Sequence, residues 1–289
     1  MDAIPTTLKV QWRIGNNCNF KCGYCHPSLY GGSEPFKDYY TLKQGLINLK
    51  DSTESYQTVN IELQGGEPTV SEDVRLLIAK PISERFTYNL HTNASADIAW
   101  WESSIRCFSK LILAWHPKSN DDHFKRVVKL ARSNNINYVV VINAESDNGT
   151  WNRAVAIFEY FKDNRCPVQL KTLFQNYQRG NDKYMPYDDT QWDYYLQVNN
   201  IPKVQIAQAE VTLYDNYLGK LCWAGVDQLV IDYRGNIFRG WCHSSGAAMG
   251  NIYKHPVILS NTPEVCPMTI CKNAFDKQAK KSTNSWGIS

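Results

Sequence analysis

The fold class this sequence predicts is α/β, with a parallel sheet, and three observations predict it. Short β-branched runs alternate with amphipathic stretches through the first two-thirds of the chain. Six such runs and five intervening helical patterns imply successive βα units. The loop at 15–27, dense in cysteine, falls directly after the first run, where a βα fold gathers its functional groups at the strand C-termini.

The strands are expected at 8–14, 59–63, 87–91, 111–115, 138–143 and 168–174, each rich in Val, Ile, Leu, Thr or aromatics. The helices between them are expected at 42–51, 71–78, 97–108, 121–133 and 151–162. Residues 175–189 are polar, with Gly180 and Pro186, and read as a loop. A helix at 190–198 follows, until Asn199, Asn200 and Pro202 break the pattern. From about residue 204 the pattern turns to short strands. Residues 229–233, a turn at Arg234-Gly235-Asn236 and residues 237–241 read as a β-hairpin. Two domains are therefore expected, 1–203 and 204–289.

Composition narrows the function class. The 289 residues are 43% hydrophobic and 20% charged, as in ordinary globular proteins. A net charge of +3 gives no reason to expect nucleic acid or an anionic membrane as partner. No run of about 18 apolar residues suggests a membrane span, and the first residues lack the pattern of a secretory signal. Nine cysteines, an odd number with three crowded together, fit reduced metal-binding thiols in the cytoplasm better than a disulfide scaffold.

Cys18, Cys22 and Cys25 form C-x3-C-x2-C. Three thiolates can hold three irons of a four-iron cluster and leave the fourth open to a substrate or cofactor. A zinc site completed by His26 is the alternative, though adjacent residues rarely reach one tetrahedral ion together. Forty residues on, Gly65-Gly66-Glu67-Pro68 ends the second strand. A Gly pair lets backbone approach a ligand closely and expose its carbonyl groups.

The cysteine spacing, with Tyr24 just before Cys25, resembles the radical S-adenosylmethionine (radical SAM) superfamily, and Gly65–Pro68 resembles its GGEP motif. The resemblance implies a partial (β/α)6 TIM-like barrel. It also implies that Cys18, Cys22 and Cys25 carry a [4Fe-4S] cluster and that Gly65, Gly66, Glu67 and Pro68 hold the methionine amino group of SAM. Asn93, past the third strand, and His116, closing the fourth, are the further expected SAM contacts. Thr92, Asn143, Glu145, Lys171 and Gln175 are loop-end polar residues at the same rim.

In the last third, Cys222 and Cys242 bracket the predicted hairpin, and Cys266 and Cys271 follow as C-x4-C. This resembles the twitch or SPASM extensions of radical SAM enzymes, and implies a small β-hairpin-containing cluster-binding domain with a second [4Fe-4S] cluster. A structural zinc on the same four thiols is the alternative. Cys107 and Cys166 read as buried thiols, with Cys166, before the sixth strand, a candidate hydrogen-atom donor at the barrel mouth.

What the resemblance implies chemically is reductive cleavage of SAM to a 5′-deoxyadenosyl radical, followed by hydrogen-atom abstraction from a substrate. A fully ligated auxiliary cluster would favour net oxidation, either dehydrogenation or cross-linking, of a small molecule or peptide. An isomerase or epimerase, or an iron–sulfur electron carrier without SAM chemistry, is the competing expectation. The electron donor would be a protein such as flavodoxin or ferredoxin. With Cys18 so near the first residue, no leader-binding domain is expected ahead of the barrel, which favours a compact substrate or a peptide delivered by a partner. Arg179, Lys183, Tyr184 and Tyr187 are placed to cover the barrel mouth.

Overall fold

The computed structural model describes residues 5–25, 29–175, 183–201, 216–269, 271 and 273–282. Its frame is a run of six parallel strands joined by helices. In order these are β1 (Thr7–Arg13), α1 (Tyr39–Ser52), β2 (Thr58–Gln64), α2 (Glu72–Ala79), β3 (Phe86–Thr92), α3 (Ile98–Ser104), β4 (Phe108–Trp115), α4 (Asp121–Ser133), β5 (Asn137–Ala144), α5 (Asn148–Asp163) and β6 (Val168–Thr172). The strands lie in chain order from β1 to β6, an open partial barrel.

Alternation within the strands explains why helices cover one face. Leu8, Val10 and Trp12 of β1, Val59, Ile61 and Leu63 of β2, and Leu111, Leu113 and Trp115 of β4 are fully buried in the main core with the helices. In β1 and β2 the neighbours point the other way and are polar, whereas in β4 Ile112 and Ala114 are apolar. Register pairs Gln11 with Glu62 and Arg13 with Gln64, then Glu62 with Asn89 and Asn89 with Lys110. From β1 to β3 the inner face of this sheet is therefore lined by hydrogen-bonding side chains, unlike parallel strands that are apolar on both faces.

All six α-helices among the described residues start on a side-chain cap. Asp38, Ser71, Asp97, Asn120 and Asp147 each accept a hydrogen bond from the backbone N–H three residues on, and Asp188 makes a full capping box with Gln191 ahead of α6 (Asp189–Val198). Each cap satisfies an otherwise orphaned donor and fixes where the helix begins. Asn135, Arg165 and Asn200 then take left-handed φ just past α4, α5 and α6 and end them.

Two expected elements differ in extent. The helix expected over 97–108 stops at Ser104, because 105–107 tighten into a 3-10 turn and Phe108 already belongs to β4. The last expected strand ends at Thr172. A short β7 (Phe174–Gln175) follows and pairs antiparallel with β8 (Lys183–Tyr184). Arg179, His26 and the 203/204 boundary lie outside the described residues.

Six short C-terminal strands among the described residues follow, three of which add to the same sheet. The six are β9 (Leu221–Cys222), β10 (Gln228–Ile231), β11 (Asn236–Phe238), β12 (Gly250–Asn251), β13 (Glu264–Val265) and β14 (Lys281–Ser282). β10 runs parallel to β1, and β11 and β12 continue antiparallel, giving a nine-stranded sheet. The hairpin turn needs Gly235, whose φ is +84° and where a Cβ would overlap the Tyr253 ring. β9 lies apart, between β13 and β14.

Candidate SAM and iron–sulfur site

One cavity at the strand C-termini brings the predicted residues together. Cys18, Cys22, Cys25, Gly65, Gly66, Glu67, Asn93 and His116 line it, joined by Thr92 and, unforeseen in the sequence, by Phe20, Gln64 and His91. None of the nine cysteines forms a disulfide.

The cysteine loop is held against the glycine pair by close backbone contact. Glu67 N–H donates to Asn17 O at 2.9 Å. Gly65 has φ +95° and a Cβ there would stand 2.6 Å from Gly15 O; Gly66 has φ +56° and its Cβ would overlap Asn17 O. Only glycine lets the two loops touch in this way, so the pair is demanded by the fold of the loop as well as by any ligand.

Glu67 faces inward. It is 1% exposed. Its Oε1 accepts from Thr69 N–H at 3.1 Å and from the hydroxyls of Thr69 and Thr92 at 2.7 and 2.8 Å, while Oε2 accepts from Asn93 N–H. Burial pushes its carboxyl above the usual range, and these four bonds pull the other way. Glu67 therefore ties the end of β2 to the end of β3. Pro68 is buried and opens the 3-10 turn Pro68–Val70 that Glu67 caps. Asn93 continues the link: its Nδ2 donates to Asn19 Oδ1 at 2.9 Å, inside the cysteine loop.

His116 closes the other side. Its ring stacks on Tyr24 with 6.0 Å between centroids, meets Phe20 edge-on, and its Nδ1 faces both the Tyr24 hydroxyl and, at 3.8 Å, Cys22 Sγ. Burial, with the nearby Lys171, lowers its pKa to about 4, so the ring is neutral at physiological pH. Burial likewise raises the thiols of Cys18 and Cys22 and the Tyr24 hydroxyl. Lys171 faces this site near Cys25 and His116. Asn143 is turned away, donating to Trp115 O.

Below the cavity the polar inner face forms a network that runs toward the C-terminal strands. His91 Nε2 lies 3.0 Å from Glu62 Oε1, which also accepts from Gln11. Burial disfavours the charge on Glu62, but His91 and Gln11 outweigh it and hold the carboxyl below its usual range. Gln11 in turn accepts from the Trp241 indole N–H, and the Arg13 guanidinium lies 3.7 Å over the Trp241 ring. The period-2 alternation of polar and apolar residues in β1 to β3 was the available signal for this network.

The second cysteine group also converges. Cys222 sits on β9, Cys242 in a 3-10 turn at Trp241–His243, and Cys266 and Cys271 in the segment beyond β13. Their thiols act on one another electrostatically, and burial raises Cys222, Cys271 and Cys242, the last to about 12. Among the described residues, no group of three or more His, Cys, Asp or Glu side chains closes tightly enough to hold a single metal ion. Four thiolates that each bind a different iron of a four-iron cluster stand farther apart than four on one ion. Thiols are donors that an iron–sulfur cluster uses, and the four of the second group suit a structural zinc as well.

Cys166 lies at the N-terminal end of β6, beside Asn164 O, whereas the cavity lies at the C-terminal ends. The hydrogen-atom donor expected there is corrected on this point.

No family model matches the sequence. Over 60 residues, 21% of this chain, it is 38% identical to a GTP 3′,8-cyclase of Haemophilus influenzae, of which the match covers 18%. The structure superposes on native anSMEcpe with bound AdoMet and the Cp18Cys peptide with a TM-score of 0.54, at 15% identity over 86% of this chain and 78% of that one. It superposes on Streptococcus suis SuiB bound to S-adenosylmethionine with a TM-score of 0.50, at 17% identity over 87% of this chain and 64% of that one. This chain has the radical SAM fold. The match spans under a fifth of the cyclase and the chain just under two thirds of SuiB, and the likeness to the solved structures is one of fold. Within the radical SAM fold, the cavity that holds the cysteine loop and the glycine pair lies at the C-terminal ends of the strands. No helix among the described residues is long and apolar enough to cross a membrane.

Proposed function

We propose that this protein is a radical SAM oxidoreductase that carries a [4Fe-4S] cluster on Cys18, Cys22 and Cys25 and a second on Cys222, Cys242, Cys266 and Cys271. The observation that carries the reading is the meeting of three thiols with the Gly65–Gly66 backbone in one cavity at the strand C-termini. When bound, the open-iron cluster and SAM together supply one-electron cleavage of SAM and hydrogen-atom abstraction.

The chain's own residues orient and exclude. Gly65 and Gly66 line the cavity beside the cysteine loop, where their backbone would receive an ammonium. Phe20, Tyr24 and the neutral His116 wall the three thiols on one side. His116, uncharged, adds no positive charge beside Cys22, so its work is packing and hydrogen bonding. The polar inner face at Gln11, Glu62 and His91 suits a hydrogen-bonding substrate better than a hydrocarbon one. A peptide substrate is supported by the solved structures of similar fold, one described with a Cp18Cys peptide and one with the precursor peptide SuiA. A flavodoxin- or ferredoxin-like donor would supply the electron.

The test is iron content and 5′-deoxyadenosine formation on anaerobically reconstituted protein given SAM and dithionite, for the wild type and for a Cys18→Ala, Cys22→Ala, Cys25→Ala variant. About eight irons falling to about four, with 5′-deoxyadenosine abolished, is expected from two four-iron clusters. About four irons falling to none would remove the auxiliary cluster from the reading. Iron retained without any 5′-deoxyadenosine in the wild type would leave an electron carrier.

A further inference from the structure

Around the second cysteine group stands a buried acid that the sequence did not single out. Asp276 is 3% exposed and opens a 3-10 turn at Asp276–Gln278. Its Oδ1 accepts from Trp241 N–H at 3.0 Å and its Oδ2 from Cys242 N–H at 2.9 Å. The carboxylate is packed so closely on Gly240 that a Cβ there would stand 3.0 Å from Oδ1. Both oxygens thus grip the turn that presents Cys242. A counter-charge lies nearby: Lys281 Nζ donates to the backbone oxygens of Asp276 and Ala279 at 2.8 and 3.0 Å.

We propose that Asp276 is a positioning residue for the auxiliary cluster, fixing Cys242 through its own amide and lowering the cluster's reduction potential. The inference rests on the reading that these four cysteines hold an iron–sulfur cluster. Two effects act with the same sign. A cluster gains negative charge when reduced, and a fixed buried carboxylate beside one of its ligands opposes that gain. The N–H groups of Trp241 and Cys242, committed to Asp276, are also withheld from any sulfur, and hydrogen bonds to sulfur are what raise such potentials. Lys281 acts in the opposite direction, so the potential is set by two neighbouring fixed charges of opposite sign.

The experiment isolates the second cluster in the full-length chain carrying Cys18→Ala, Cys22→Ala and Cys25→Ala. Its midpoint potential is read by dithionite titration followed by electron paramagnetic resonance. Adding Asp276→Asn, which keeps the size and one acceptor oxygen, should raise the potential with about four irons retained. Asp276→Glu should stay near the parent, and Lys281→Met should lower it. A potential unmoved or lowered by Asp276→Asn overturns the proposal, as does an Asp276→Asn protein without iron beside an Asp276→Glu protein that keeps it, since Asp276 would then be structural only. If the parent itself holds no iron, the two-cluster reading falls first, and that outcome is distinct from the others.

Discussion

Glu67 shows how a motif residue can act at one remove from chemistry. Its carboxylate accepts from Thr69, Thr92 and Asn93, at the ends of two strands. Glu67→Gln should therefore cost stability. Whichever way the amide turns, its NH2 meets a backbone N–H, of Thr69 or of Asn93, and one buried donor loses its acceptor. Unsatisfied buried groups cost about 1–3 kcal/mol. The expected result is a lower denaturant midpoint for the apo-protein, with SAM affinity reduced only as a consequence. A variant as stable as the wild type that nonetheless fails to bind SAM would instead make Glu67 a direct contact. The sequence showed the residue but not its direction, because a side chain's facing depends on two other strand ends that the motif does not include.

At the scale of elements, the helix starts are set by side chains whose charge matters. Asp38, Asp97, Asp147 and Asp188 cap α1, α3, α5 and α6, and their bonds to backbone N–H groups hold each carboxyl below its usual value. A folded-state pKa below the unfolded one means that the unfolded chain binds protons first as pH falls. The stabilisation is then full above the ordinary Asp range and is lost as pH drops through the depressed values. Melting temperature should fall on acidification below about pH 4. Asp188→Ala should lower it at pH 7 and change it little at pH 2. An equal effect at both pH values would show that the cap acts through shape alone. These caps also explain what was legible in the sequence. Strand alternation and cap residues are local signals, and β1 to β5 and the helices lie within a few residues of where those signals put them. The exceptions are α3 and β6, where a 3-10 turn and the small β7–β8 pairing intervene. The pairing of β10 with β1 was not legible, because nothing local in 228–231 says which of the earlier strands it will join.

That pairing determines how the whole molecule behaves. The residues after 204 were expected to form a separate unit, yet β10 extends the main sheet at β1, matching Lys9 to Gln228 and Trp12 to Ile231. Leu229, Ile231, Ile237, Ile252 and Val257 belong to the main core. Tyr56 donates to Val226 O and Asn48 to Ile252 O, both at 2.7 Å, and the Trp241 indole reaches Gln11 in the inner face. Removing this part would uncover one edge of β1 and the apolar side chains it covers, and a bare sheet edge is a template for aggregation. The full chain without metal should therefore unfold in one transition, seen alike by far-ultraviolet circular dichroism and tryptophan fluorescence. A fragment ending at residue 203 should be aggregated or lack fixed tertiary structure. Two separate transitions, or a monomeric folded fragment, would mean that the sheet joins two units able to stand alone. The same continuity bears on chemistry. Trp241, next to Cys242, touches the network of Gln11, Glu62 and His91, and His91 lines the cavity of Cys18, Cys22 and Cys25. One chain of side-chain contacts thus links the turn that carries Cys242 to the cavity of the first cysteine group.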